Sequence, residues 1–197
     1  MKITEEDFED ALIIASDMLR SGAVLVYPTD TVYGLGGDAT SSQVVEKIHK
    51  IKGTKDKPLS VMMTTDMIEY YCETGIWEDI ILKRYLPGPY TFILALRHPI
   101  PATTTKKLGV RVPDSLFCQR LCERFGRPII TTSANPTGQK PSADFEGIDQ
   151  AVLAAADLAI NGGKTKYGAA SVVIDLVDRK LIREGSETID LAELPQP

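Results

Sequence analysis

Apolar positions recur along this chain at two periods. Phe8, Leu12, Ala15 and Leu19 fall on one face of a helix that Thr4 would cap and Gly22 would end. Residues 23–27 form an unbroken apolar run, the mark of a buried strand. A second helix is predicted from a Ser42 cap to about Ile51, with Val44, Val45, Ile48 and Ile51 inward. Residues 59–63 read as a strand, and 65–85 as short helices burying Trp77, Ile80, Ile81 and Tyr85. "LPGPY" (86–90) is a rigid turn, because two prolines and a glycine cannot extend a helix. Strands follow at 91–96, 109–113, 128–133 and 158–161, with helices at 114–125 and near 147–156. Residues 170–177 and 180–184 form a terminal hairpin around Asp178 and Arg179, and 187–197 is a tail.

Strands and helices are mixed but do not alternate regularly. That predicts one α/β domain over residues 1–197, built on a twisted mixed sheet with flanking helices. No Ser- or Gly-rich linker divides it. The composition, 43% hydrophobic and 25% charged, is that of a globular chain able to bury a large core. Apolar runs are too short to span a bilayer, and no charged segment followed by an apolar one opens the chain. A cytoplasmic protein with no membrane partner is expected. The net charge of −5 argues against avid nucleic-acid binding unless a cleft is locally basic. Cys72, Cys118 and Cys122 read as reduced core thiols. Neither His49 nor His98 completes a ligand spacing with them, so no protein-built metal site is expected.

The apolar strands share an oddity: they stop in small polar or cationic residues. These are Thr29–Asp30–Thr31, Lys52 and its neighbours, Arg111, Thr131 to Asn135, and Ser171. A sheet that gathers such ends at one rim makes a cleft. Lys50, Lys52, Lys55 and Lys57 crowd a helix end, where they either complement its dipole or clamp phosphates. "TTSANPTGQKPS" (131–142) sets Ser133 and Asn135 after a strand, as plain turn formers or as donors to phosphate or ribose. The glycine-rich stretch 161–171 is either an ordinary loop or an anion-binding lid. No nucleophile motif is present. The strong groups are cations and hydrogen-bond donors, which suit charge stabilisation of a phosphorylated or adenylylated species.

Six segments carry a resemblance in their order: "YPTDTVYGLGGDA" (27–39), "KIHKIKGTKDKPLSVM" (47–62), "LPGPYTFIL" (86–94), "GVRVPDS" (109–115), "IITTSANPTG" (129–138) and "SVVID…LIREG" (171–185). The chain is similar to the YrdC/Sua5/TsaC proteins, the threonylcarbamoyl-AMP synthases, from about residue 5 to 186. That resemblance implies a YrdC-like fold with a concave, positively lined cavity. It also implies a reaction: L-threonine, bicarbonate and ATP, with Mg2+ on the nucleotide, give threonylcarbamoyl-AMP and pyrophosphate. A tRNA threonylcarbamoyl-transfer complex would use the product, and weak binding of tRNA itself is expected.

By position, Thr31, Arg111, Thr131 and Ser171 resemble the threonine-binding residues, Arg111 pairing with the carboxylate. Lys52, Ser133 and Asn135 match a Lys-x-Arg…Ser-x-Asn set that handles ATP and catalysis. Ser142 and Arg183 resemble further nucleotide contacts. The Arg of Lys-x-Arg is Thr54 here, and Lys55 or Lys57 is expected to supply the missing charge to ATP. In an extended segment Thr29 and Thr31 share a face and Asp30 points away. Thr31 would then face the cavity, Asp30 would pair elsewhere in the wall, and Gly34, Gly36 and Gly37 would allow close backbone approach. The alternative is an RNA-binding or YciO-like protein of the same fold without synthase activity.

Overall fold

A computed structural model describes Met1, residues 7–189 and Leu194. The expected Thr4 cap and most of the tail lie outside the described residues. In chain order the elements are α1 (Phe8–Arg20), β1 (Leu25–Pro28), β2 (Tyr33–Gly36), α2 (Ser42–Lys52), β3 (Val61–Met62), α3 (Thr65–Tyr71), β4 (Cys72–Glu73), α4 (Ile76–Tyr85), β5 (Tyr90–Leu96), β6 (Lys107–Arg111), α5 (Leu116–Phe125), β7 (Ile129–Ile130), β8 (Thr132–Ser133), α6 (Gln150–Ala155), β9 (Leu158–Ala159), β10 (Val172–Asp175) and β11 (Lys180–Arg183).

The α/β class stands, with both parallel and antiparallel pairings, but the strands divide into two sheets rather than one. The smaller runs β8-β2-β1-β9. The larger runs β11-β10-β5-β6-β3-β7, with β4 on β5. The run 128–133, expected as one strand, is broken at Thr131, so that β7 pairs with β3 in the larger sheet and β8 with β2 in the smaller. Residues 129–133 therefore cross from sheet to sheet.

Strand alternation explains why β1 is apolar throughout. Val24 and Val26 enter a core that also holds Val61, Phe92, Val110 and Ile130. Leu25 and Tyr27 enter a second core, with Met62, Ile129 and the inner faces of α1 and α5. A strand covered on both sides has no polar face. The helices expected at 42–51 and 114–125 hold within two residues, while the one expected near 147–156 is shorter, Gln150–Ala155. Ser41, not Ser42, caps α2, and Ile80 is 48% exposed while Leu82 is buried in its place.

β2 and the short β4, which falls inside the expected helices of 65–85, are strands that the apolar pattern does not predict; in β2 the reason is that glycine weakens a strand signal. β2 pairs antiparallel with β1, Tyr27 opposite Gly34 and Leu25 opposite Gly36. The Tyr27 hydroxyl donates to Ile130 O at 2.9 Å, so the ring lies across the β2 backbone. A Cβ on Gly36 would stand 2.0 Å from Ile130 O and 2.7 Å from the Tyr27 hydroxyl. These glycines admit a tyrosine and a neighbouring strand. Gly36→Ala is expected to destabilise the fold by about 1–3 kcal/mol or more. The left-handed Gly53, with open space around its Cβ position, should cost about 1 kcal/mol as alanine. Urea unfolding of both variants checks the order.

Candidate active site

The seam between the two sheets holds a cavity of about 300 Å³. Thr31 enters from the loop after β1, Arg111 from the end of β6, and Thr91 from β5. Thr131 and Ser133 come from the crossing segment, Asn135 from the turn after it, and Ser171 and Arg183 from the terminal hairpin and its approach. Seven predicted site residues thus meet: Thr31, Arg111, Thr131, Ser133, Asn135, Ser171 and Arg183. Ser60, Thr91 and Gln139 also line the cavity. No motif distinguishes them in the sequence, since lone hydroxyls and amides on strands and loops are common.

Arg111 is the centre of the wall. Its Nη2 donates to Asp30 Oδ1 at 2.8 Å and to Thr31 Oγ1 at 3.0 Å. Asp30 Oδ2 accepts from Asp114 N at 3.0 Å, and the Asp30 side chain is fully buried. The expectation that Asp30 points away from Thr31 is corrected here. Residues 30–32 bend rather than continue an extended strand, so one guanidinium nitrogen reaches both side chains. The shared side of Thr29 and Thr31 is borne out by a 3.1 Å contact between their hydroxyls. Thr29 donates its only hydroxyl proton to Val32 O at 2.7 Å, so Thr31 is the donor in that contact. Having donated once and accepted once from Arg111, Thr31 Oγ1 keeps one lone pair for a ligand.

Burial pushes the Asp30 carboxyl up, while Arg111 and the Asp114 N–H pull it back. Among the described residues Arg111 Nη1 makes no hydrogen bond, and Nε is buried without a partner.

Lys52 acts from behind the wall. Its ammonium donates to Ser133 O and Asn135 O, both at 2.6 Å. It holds the 133–135 turn by its carbonyls, which leaves the Ser133 hydroxyl and the Asn135 amide oxygen uncommitted to it. Burial first, and then the Lys57 charge, lower the Lys52 pKa to about 8. Asn135 Nδ2 donates to Pro136 O and Gln139 O, both at 2.8 Å, while its buried Oδ1 has no partner. Such an acceptor costs about 1–3 kcal/mol, which a donor-bearing ligand would recover. Arg183 donates to Ser171 O and Oγ, and Ser171 Oγ lies 2.8 Å from Thr91 Oγ1. Burial and repulsion from Arg111 lower the Arg183 pKa.

Lys55, Lys57 and Ser142 are not brought to this cavity. The two lysines line a separate one with His49, Lys50 and Thr103, and Lys57 reaches the site only as a charge felt at Lys52. Ser142 Oγ donates to Asp144 O. Thr54, in the place of the expected Arg, lies 3.0 Å from His49 Nδ1. The glycine-rich stretch is pinned over the threonine-rich turn. Thr165 Oγ1 donates to Thr31 O at 2.7 Å, Tyr167 N to Asp30 O at 2.8 Å, and Tyr33 Oη to Gly163 O at 2.7 Å.

Asp30 neutralises Arg111, but among the described residues no carboxylate pairs with Arg183 or Lys52. The cavity therefore carries surplus positive charge in a chain of net −5. It suits a ligand with a carboxylate or phosphate. Among the described residues no group of His, Cys, Asp and Glu is placed to hold a metal, and no helix is long and apolar enough to cross a membrane.

A family model described as telomere recombination, Sua5/YciO/YrdC, matches residues 17–185. A Methanocaldococcus jannaschii protein named putative threonylcarbamoyl-AMP synthase is 33% identical over 189 residues, 93% of this chain and 90% of its own. The Pyrococcus abyssi Sua5 structure complexed with L-threonine superposes with a TM-score of 0.81 at 30% identity, over 90% of this chain and 53% of that one. The Escherichia coli YciO crystal structure gives 0.83 at 29% identity, over 93% of each chain.

Removing the Asp30 charge would leave the Arg111 guanidinium buried and unpaired. Asp30→Asn is expected to destabilise the protein by about 3–5 kcal/mol. Asp30→Asn with Arg111→Met should lose less than the two single changes added together. Additive denaturation energies would show that the pair is not coupled.

Proposed function

The chain belongs to the Sua5/YciO/YrdC family, and we propose that it is a threonylcarbamoyl-AMP synthase. The observation that carries this reading is the Arg111 fork. One nitrogen is anchored on Asp30 and Thr31 while the other is unused, and the fork opens into the cavity that Arg183 and the Lys52-held turn also border. The Pyrococcus relative bound to L-threonine supports the amino-acid half of the site.

On this reading Arg111 Nη1 takes the threonine carboxylate, and the spare lone pair of Thr31 takes a donor of the same amino acid. Thr131 and Ser171 complete that wall. The threonine amine and bicarbonate give a carbamate and water. A carbamate oxygen then attacks the α-phosphorus of ATP, forming the new P–O bond as the bond to pyrophosphate breaks, which makes the protein a nucleotidyltransferase. Ser133, Asn135 and Arg183 receive the nucleotide, with Lys52 holding their turn and adding positive charge. The protein's contribution is positioning and charge stabilisation in a site sheltered from water. Mg2+ fits this site only as a passenger on the ATP phosphates, because Asp30 is already committed to Arg111 and the Asp114 amide. The product passes to a tRNA threonylcarbamoyl-transfer complex in the cytoplasm.

A second reading has its own observations: Thr54 in the arginine position and the likeness to YciO favour a relative without synthase activity. One assay separates the two. Protein incubated with Mg2+, ATP, bicarbonate and threonine should release pyrophosphate, and omitting threonine should abolish the release. Salt-sensitive RNA binding with no threonine-dependent pyrophosphate would favour the second reading.

Lys52 gives the reaction a pH limit. Its ammonium loses its proton as pH rises through about 8. The kcat/KM for ATP should therefore fall above that value, since this parameter reports the free enzyme. In Lys52→Arg, which stays protonated, the alkaline limb should disappear even if the plateau is lower.

A further inference from the structure

The end of β6 serves two cavities. Arg111 faces the seam, and strand alternation turns the next residue, Val112, the other way. Val112 and Pro113 line a second cavity of about 380 Å³ between α3, α4 and α5. Its floor is apolar and buried, with Met63, Ile68, Leu82 and Cys122 among its residues. Its mouth carries Glu69, Asp79 and Glu123 against the single cation Lys83. Among the described residues Glu69 and Asp79 have no ion-pair partner, and Glu123 has only exposed Arg120 at 3.4 Å.

Around the mouth, apolar side chains stand in water. Ile76 is 84% exposed and Ile80 48%, each one helical turn before a residue that lines the cavity, Asp79 and Lys83. Leu116 is 63% exposed, one turn before Gln119 on α5. A small ligand confined to the cavity would leave these residues uncovered. A protein segment would cover them.

We propose that this face docks a basic amphipathic segment of a partner protein. The segment seats one apolar side chain in the cavity, covers Ile76, Ile80 and Leu116, and sets lysines or arginines against Glu69, Asp79 and Glu123. Two carboxylates without an ion-pair partner among the described residues, Glu69 and Asp79, and a third, Glu123, held only by exposed Arg120, choose a basic partner, and the apolar floor supplies the anchor pocket on which peptide affinity concentrates. None of these residues belongs to the synthase cavity, so the proposal stands apart from the proposed activity.

The test uses the intact protein and a fluorescein-labelled helical peptide with leucines at i, i+3 and i+7 flanked by lysines. Fluorescence anisotropy should show binding that weakens about tenfold or more in an Ile76→Ser, Ile80→Ser variant and in a Glu69→Lys, Glu123→Lys variant. Circular dichroism and thermal melting confirm that both variants keep the parent fold. A peptide with glutamates for lysines should not bind. The proposal is overturned if the lysine peptide fails to bind the parent protein, or if the variants bind it equally well. It is also overturned if n-hexylammonium binds with the same variant sensitivity while the peptide does not, which would make the cavity a small-ligand site. Self-association of the parent protein that Ile76→Ser, Ile80→Ser abolishes would assign the face to a second copy and overturn it as well.

Discussion

A buried guanidinium and a buried carboxylate tolerate each other only as a pair, and the Arg111–Asp30 pair stands where the two sheets meet. Arg111 ends β6 of the larger sheet, and Asp30 follows β1 of the smaller. Their 2.8 Å contact therefore ties one sheet to the other across the cavity they enclose. Replacing such a pair with apolar residues often costs nothing, so stability alone does not account for it. Its consequence is orientation. With Nη2 fixed on Asp30 and Thr31, the rest of the planar fork has little freedom, so a carboxylate arriving there would meet a donor already set in place.

The other seam crossings serve the same end. The break at Thr131 lets one short segment belong to both sheets, and the Tyr27 hydroxyl on Ile130 O fastens that segment over β1. Lys52 then braces the turn that follows by two backbone carbonyls. The cation takes their main chain, which leaves the Ser133 hydroxyl and the Asn135 amide oxygen for a ligand. The glycines of β2 belong to this construction too, since side chains at those positions would collide with Tyr27 and Ile130.

Where the chain obeys a simple period, its structure was legible: α1, α2, α5, β5 and the terminal hairpin lie close to where their apolar spacing puts them. The failures have one cause. Partner choice between strands is set by residues far apart in sequence, so neither the division into two sheets nor the split of 128–133 leaves a local trace. β2 was hidden because its glycines answer to a tyrosine on the neighbouring strand. The site followed the same rule. Thr31, Arg111 and Ser171 were readable as polar residues ending apolar strands, and the family resemblance added Arg183. Lys55 and Lys57 misled because charge density along the chain says nothing about which way a loop turns its side chains. Ser60 and Thr91 were missed because a hydroxyl in a strand has no signature until its neighbours are known.

Net charge was an equally poor guide to the site. A chain of −5 surrounds a cavity lined by Arg183 and backed by Lys52, neither of which has a carboxylate partner among the described residues, while carboxylates gather on the far side of β6 at the mouth between α3, α4 and α5. Surface charges more than about 8–10 Å apart are largely screened at physiological salt, but buried ones are screened far less. An anion entering the seam therefore meets the local cations, not the chain average. Lys52, whose pKa burial and then the Lys57 charge lower to about 8, is held more firmly in its charged form when a carboxylate or phosphate arrives nearby. The positive charge that an anion would meet lies between the fork of Arg111, fixed on Asp30 and Thr31, and the turn braced by Lys52.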